Sequence, residues 1–145
     1  MRYLRGPLVA LFAFLLGVVV SPIHFQVKSR GQGRITDGNG RFSVTSFRSS
    51  YFVELTFAHY GYESPEKANA VFAEHVAQSV AVTEITPKLD AQGKIVGRRA
   101  VTTAPNHDLT KHLTCAFWTD GSMLHAVTSS SLLHVLEFEK QLALD

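Results

Sequence analysis

Two alternating runs of residues joined by Asp120-Gly121 constrain the fold of this chain more than any other feature. The runs cover residues 112–119 and 122–129, and apolar side chains recur along each with the period of two that is typical of a half-buried β-strand. The Asp-Gly dipeptide readily supplies the two positive φ angles of a type I′ turn. The sequence therefore predicts a β-hairpin with a two-residue loop.

The predicted register, with Thr119 opposite Ser122, assigns the side chains of this hairpin to two faces. One face is expected to pack on the core and carries Leu113, Cys115, Phe117, Leu124 and Ala126. The other face is predicted to offer an interaction surface made of Trp118, Met123, His125 and Val127. Exposed Trp and Met side chains are enriched at protein interfaces. The alternative is that the C-terminal helix or the strand over residues 42–47 covers this surface.

Capping signals predict two helices. Ser64 is a good N-cap, and Pro65 suits the first helical position, so a helix is expected to run from there to about residue 80. Three serines at 129–131 precede an apolar run over residues 132–144, which predicts a second helix that packs broadly.

Alternation and turn residues predict the remaining strands, which cover residues 41–47, 51–60, 82–89 and 94–103. Pro87 indicates an edge strand, and the loop over residues 90–93 places Glu84 opposite Arg99. The expected fold class is α+β: an antiparallel meander of four to six strands with one long helix and a C-terminal helix packed against one face. This order is similar, by analogy only, to the cystatin-like fold.

The N-terminal third differs from the rest of the chain. Residues 1–23 combine a basic start with an uncharged apolar run, which predicts a signal anchor or a cleaved signal peptide. Residues 24–40 are rich in glycine and basic residues and are predicted to be a linker, and residues 41–145 form a single domain. We therefore expect a membrane-anchored protein, or a secreted one if the signal is cleaved.

Charge and cysteine content exclude several classes. Residues 1–49 carry a net charge of +6 and residues 50–145 one of −4, so the folded part is mildly acidic and no nucleic-acid partner is expected. Cys115 is the single cysteine, which excludes an intramolecular disulfide and a multi-cysteine zinc site. It is interpreted as a small core residue.

No group of residues forms a catalytic or cofactor signature. Cys115 and His125 are assigned to opposite faces of the hairpin, so the imidazole cannot activate the thiol. His107, Asp108 and His112 form the best metal-ligand grouping, but surface histidines on a polar loop explain them equally simply. We therefore predict no catalytic residues, no metal ligands and no cofactor.

Three motifs give the chain a resemblance to a family. They are Lys88-Leu89-Asp90 continued by Gly93, Val96-Gly97 and Arg99; Trp118-Thr119-Asp120-Gly121-Ser122; and Ser131-Leu132 leading into Leu136-Glu137-Phe138-Glu139. Over about residues 51–141 the chain resembles a small bacterial exported domain family to which no activity is assigned. The resemblance implies an α+β fold and a bacterial envelope setting, so that an anchored form would lie in the bacterial inner membrane and face the periplasm or exterior. It implies no site residues.

Two functions of different classes follow from these patterns. The first is a non-catalytic interaction or assembly domain, anchored or exported, that meets a protein partner or a second copy through the Trp118 face or an open strand edge. The alternative is a periplasmic domain that binds a small ligand or a metal between the helix at 64–80 and the sheet.

Overall fold

The computed structural model describes residues 22–35, 40–105 and 112–144, and within them seven strands and two helices. The strands are β1 (Phe25–Arg34), β2 (Arg41–Ser49), β3 (Glu54–Gly61), β4 (Ala81–Leu89), β5 (Ile95–Pro105), β6 (His112–Asp120) and β7 (Met123–Ser129), and the helices are α1 (Pro65–Gln78) and α2 (Leu132–Leu142). All neighbouring strands pair antiparallel in the order β1-β2-β3-β7-β6-β5-β4.

The two helices cover opposite faces of this sheet. On the α1 face, Phe72 packs with Phe117, Ala100 and Leu124. On the α2 face, the helix residues Val135 and Phe138 pack on a larger cluster of Leu55, Phe57, Val101, Ala116, Trp118 and Val127. Successive residues of a strand point to opposite faces, so the adjacent Phe117 and Trp118 are both buried, one in each core.

The predicted fold class is therefore wrong in its strand number and its layers. The sheet has seven strands rather than four to six, and α2 lies on the face opposite α1, so the cystatin-like order does not apply. The strand that was not predicted is β1, and the error in the layers came from treating one face of the β6–β7 hairpin as solvent-facing. A central strand that is buried on both faces carries apolar residues at consecutive positions, as residues 116–118 do.

Strand β1 lies in the segment predicted to be a linker. Its side chains are mostly exposed, so the apolar periodicity that marks a strand is missing. It is held by backbone pairing along the whole length of β2. Gly33 lies opposite Phe42, and a Cβ atom at Gly33 would come within 2.7 Å of the Phe42 ring, so the glycine makes room for an aromatic side chain on the neighbouring strand.

The turn of the β6–β7 hairpin is Gly121-Ser122 rather than Asp120-Gly121. Asp120 pairs with Met123, Gly121 has a φ of 58°, and no positive φ occurs at Ser122. Glycine at the first central position with a positive φ is the pattern of a type II′ turn. The pairing is shifted by two residues from the predicted one, and because two is the period of a strand, the predicted division of side chains between the faces is confirmed.

Several local predictions are confirmed. Ser64 and Ser131 cap the two helices, each accepting a hydrogen bond from a backbone N–H three residues on. Pro87 lies in β4, which forms an edge of the described sheet. The predicted placement of Glu84 opposite Arg99 is wrong by two residues, because Arg99 lies opposite Thr86 and Glu84 opposite Val101, but the two side chains still form an ion pair at 3.0 Å.

The predicted signal anchor falls almost wholly outside the described residues, which begin at Pro22. No helix in the part of the chain that the structure describes is long and apolar enough to cross a membrane.

Candidate functional site

Two histidines face each other across the β3–β7 pair. His59 is the direct cross-strand neighbour of His125, and their Nδ1 atoms are 2.7 Å apart. At that distance one ring donates its Nδ1–H to the other, so at least one of the two rings is neutral. Both side chains are half-buried on the α2 face of the sheet.

Strand periodicity places this pair beside the α2 core. Along β3, Leu55, Phe57 and His59 follow at every second residue on one face, and on β7 the same face carries Val127 and His125. The alternation of the hairpin predicted the face of His125, but His59 was not identified as a site residue. The alternation of β3 would have put His59 on the side of Phe57, but nothing local indicates that β3 pairs with β7.

Aromatic rings surround the pair. The Phe57 ring centroid is 4.2 Å from that of His59, and Trp118 stacks on His125 with centroids 5.4 Å apart and planes 23° apart. Lys88 extends from edge strand β4 and holds its Nζ 4.7 Å from the centroid of Trp118, in cation–π geometry.

These side chains line a cleft of about 450 Å³ between the C-terminal end of α2 and the sheet. Its lining combines aromatic, imidazole and charged groups: Phe57, His59, Lys88, Leu89, Asp90, Ala91, Trp118, Asp120, His125, Glu139, Leu142 and Ala143. A volume of this size is typical of a small-molecule site.

Burial favours the neutral forms of both histidines. Desolvation lowers the pKa of His59. Desolvation is also the main cause of the lowered pKa of His125, and the neighbouring His59 and Lys88 lower it further, while Asp120 opposes the shift. At neutral pH the cleft therefore contains an uncharged, hydrogen-bonded pair of imidazoles.

An ion-pair network fixes one wall of the cleft. Arg99 on β5 donates from Nε to Glu139 Oε1 at 2.6 Å and from Nη2 to Oε2 at 2.8 Å, a two-point contact that ties α2 to the sheet. Hydrogen bonding to Glu139 raises the pKa of Arg99. Glu84 accepts a third bond from the same guanidinium, so β4 joins the network.

The four residues of the predicted interaction surface lie in different environments in the structure. Trp118 and Val127 are buried beneath α2, with Trp118 only 7% exposed, which is the covered alternative that the sequence left open. His125 lines the cleft. Met123 lines a neighbouring cavity of about 300 Å³, which shares His59 with the cleft. Of the four residues, Trp118 and His125 line the cleft, Met123 lines the neighbouring cavity, and Val127 lies in the core.

A smaller cavity of about 190 Å³ lies where the sequence analysis expected a pocket, between α1 and the sheet. Cys115 and His75 are among its lining residues. Burial raises the pKa of the Cys115 thiol, and its Sγ accepts a hydrogen bond from Thr128. Cys115 and His125 lie on opposite faces, as predicted, so they form no nucleophile–base pair.

Metal-ligand groupings are missing from residues 22–35, 40–105 and 112–144, where no three His, Cys, Asp or Glu side chains are placed to hold an ion. Of the three residues considered as a possible metal-ligand grouping from the sequence, His107 and Asp108 lie outside the described residues and His112 lies within them.

Comparisons with protein-family models, with curated proteins and with solved structures give no match. The site is therefore interpreted from its own geometry.

Proposed function

We propose that this chain is a non-catalytic domain of the bacterial envelope that binds a small organic molecule in the cleft at His59 and His125. The observation that carries the proposal is the 2.7 Å imidazole pair on the floor of a cleft of about 450 Å³. Apolar and aromatic walls with a few converging polar groups of shifted pKa are the usual features of a ligand site. Residues 1–23, with their apolar run, support an anchored or exported location.

The chemistry of the floor favours a planar heteroaromatic ligand. When two neutral imidazoles share one Nδ1–H, one ring keeps an Nε2–H donor and the other an Nε2 lone pair. The pair thus offers one donor and one acceptor. Phe57 and Trp118 add an apolar, aromatic lining for a ring to lie against.

The lining also supports binding rather than covalent chemistry. Among the described residues around the cleft there is no hydroxyl and no thiol that the imidazoles could activate. Lys88, the one amine of the lining, lies over the Trp118 ring with its Nζ 3.9 Å from Glu139.

Trp118 allows a direct test because it is the single tryptophan of the chain and lines the cleft. Benzimidazole, a planar ring with one N–H donor and one nitrogen acceptor, is titrated into the full-length protein in detergent while Trp118 emission is recorded. We expect a saturable change in emission. His59→Phe keeps an aromatic ring but removes the hydrogen bond to His125, and it is expected to weaken benzimidazole binding about tenfold.

The matched control is His75→Phe, which makes the same exchange at the cavity on the α1 face. It should leave the benzimidazole titration unchanged. An absence of saturable binding, or equal weakening by both variants, would contradict the proposal. Stoichiometric zinc or copper in the purified protein would favour the metal-binding alternative instead.

A further inference from the structure

Apolar side chains lie exposed on the outer side of α2. Leu133 is 66% exposed and Leu136 is 40% exposed, and they follow each other at the i, i+3 spacing that places residues on one helix face. Lys140 is exposed on the same stripe, at i+7 from Leu133. The stripe therefore combines leucines with one cation.

The turn between β2 and β3 carries a second exposed apolar residue. Phe52 is 83% exposed and has a φ of 61°, a conformation that is rare for residues other than glycine. The neighbouring Tyr51 has its ring centroid 6.3 Å from that of His134, in the first turn of α2. The Phe52 turn and the N-terminal end of α2 are thus adjacent.

The chain enters the described domain beside α2 and the turn between β2 and β3. Ile23 is buried, and its carbonyl accepts a hydrogen bond of 2.8 Å from Gln141 of α2. The carbonyl of His24 accepts one of the same length from the backbone N–H of Ser50, which lies two residues before Phe52.

Only a few residues separate the apolar run near the N-terminus from Ile23, and this limits how far the domain can lie from that run. No charged residue occurs from Gly6 to Ile23, and the apolar run ends at Val20. Three residue steps separate Val20 from the buried Ile23, so their Cα atoms are at most about 11 Å apart. If the apolar run enters a bilayer, the side of the domain where Ile23 lies is held against the membrane surface.

We propose that the domain lies on this membrane through the outer face of α2, at Leu133 and Leu136, and through the Phe52 turn. Amphipathic surfaces of this kind bury their apolar side chains about 5–10 Å into the headgroup boundary, and Lys140 is placed to meet anionic phosphates. The proposal rests on the membrane-anchored form of the proposed function, and the occupant of the surface is the lipid that surrounds the N-terminal segment.

Depth-dependent quenching tests the contact. Full-length Leu133→Trp is reconstituted into phosphatidylcholine–phosphatidylglycerol vesicles that contain lipids brominated near the headgroup end of the acyl chain. The wild-type protein, in which Trp118 is buried, gives the baseline emission with which Leu133→Trp is compared. We expect the added tryptophan to lose about half of its emission relative to vesicles without bromine. The control is Val82→Trp, at an exposed position of edge strand β4, which should lose none.

Equal emission of Leu133→Trp with and without bromine would overturn the proposal, and so would equal quenching of both variants. Packing of a second copy or of the N-terminal segment on this face would give the unquenched result. Leu136→Trp, on the same stripe, replaces Leu133→Trp if that variant does not fold. Benzimidazole binding is measured on the same samples, so loss of quenching with retained binding overturns the membrane contact and leaves the proposed function standing.

Discussion

His59 and His125 form the one contact between imidazoles in the described residues, and their protonation is linked to folding. Burial lowers the pKa of both rings in the folded state, whereas in the unfolded chain each returns to about 6.5. Between the folded and the unfolded pKa values, the unfolded chain binds more protons. Stability from the neutral pair is therefore present above about pH 6.5 and is lost as the pH falls through the folded values.

We accordingly expect the urea midpoint of the full-length protein in detergent, followed by circular dichroism, to fall between pH 7.5 and pH 5. His59→Phe removes one of the titrating rings and should reduce this pH dependence. His134, whose pKa burial also lowers, is present in both proteins and does not affect the comparison.

The exposed His112 provides the control for this pH experiment. His112→Phe should retain the full pH dependence of the wild type. A pH dependence that is the same in the wild type, His59→Phe and His112→Phe would show that the pair does not contribute.

At the scale of elements, each helix stabilises its own face of the sheet. Phe72 of α1 lies 5.0 Å from Phe117, measured between ring centroids, while Phe138 of α2 lies 5.0 Å from Phe25 and 5.4 Å from Phe57. The sheet separates the two cores, so substitutions in one have no shared partner in the other.

Phe72→Leu and Phe138→Leu are each expected to lower the free energy of unfolding by about 1 kcal/mol. Because the cores are separate, the double variant should equal the sum of the two single effects within about 0.5 kcal/mol, as measured by urea unfolding.

Phe25→Leu combined with Phe138→Leu is the comparison, since these two rings touch edge to face. For this pair we expect a coupling of about 0.5–1.5 kcal/mol. If the effects are additive in both pairs of substitutions, or if Phe72→Leu and Phe138→Leu are coupled across the sheet, the two-core description is contradicted.

At the scale of the whole molecule, the described sheet ends in two edge strands with mostly exposed side chains, β1 and β4. Edge β4 carries the exposed apolar residues Val82, Ile85 and Leu89, which favour pairing with another chain. Pro87 interrupts that edge because it has no N–H to donate to a new strand.

Pro87→Val is therefore expected to increase self-association, seen as a concentration-dependent rise in mass by size exclusion with light scattering in detergent. Pro65→Val, at the first turn of α1, is the matched control and should leave the mass unchanged. A monomeric Pro87→Val protein at all concentrations would show that Pro87 does not protect this edge.

The sequence by itself determined features that depend on a few neighbouring residues. Ser64 was identified as a cap, Ser131 was one of three candidate caps for α2, Pro87 was identified as an edge residue, and the two faces of the β6–β7 hairpin were separated correctly. The turn residues were displaced by one position because Asp-Gly and Gly-Ser both suit a tight hairpin, and the choice between them depends on the pairing of the whole strands.

Only the tertiary structure decided the features that join distant parts of the chain. β1 was missed because exposed strands held by backbone pairing carry no apolar period, and α2 was assigned to the wrong face because either face of the sheet could have received its apolar residues. The His59–His125 contact joins residues 66 positions apart. Periodicity and capping act within one element, whereas the choice of strand partners and the covering of a face depend on the packing of the entire domain.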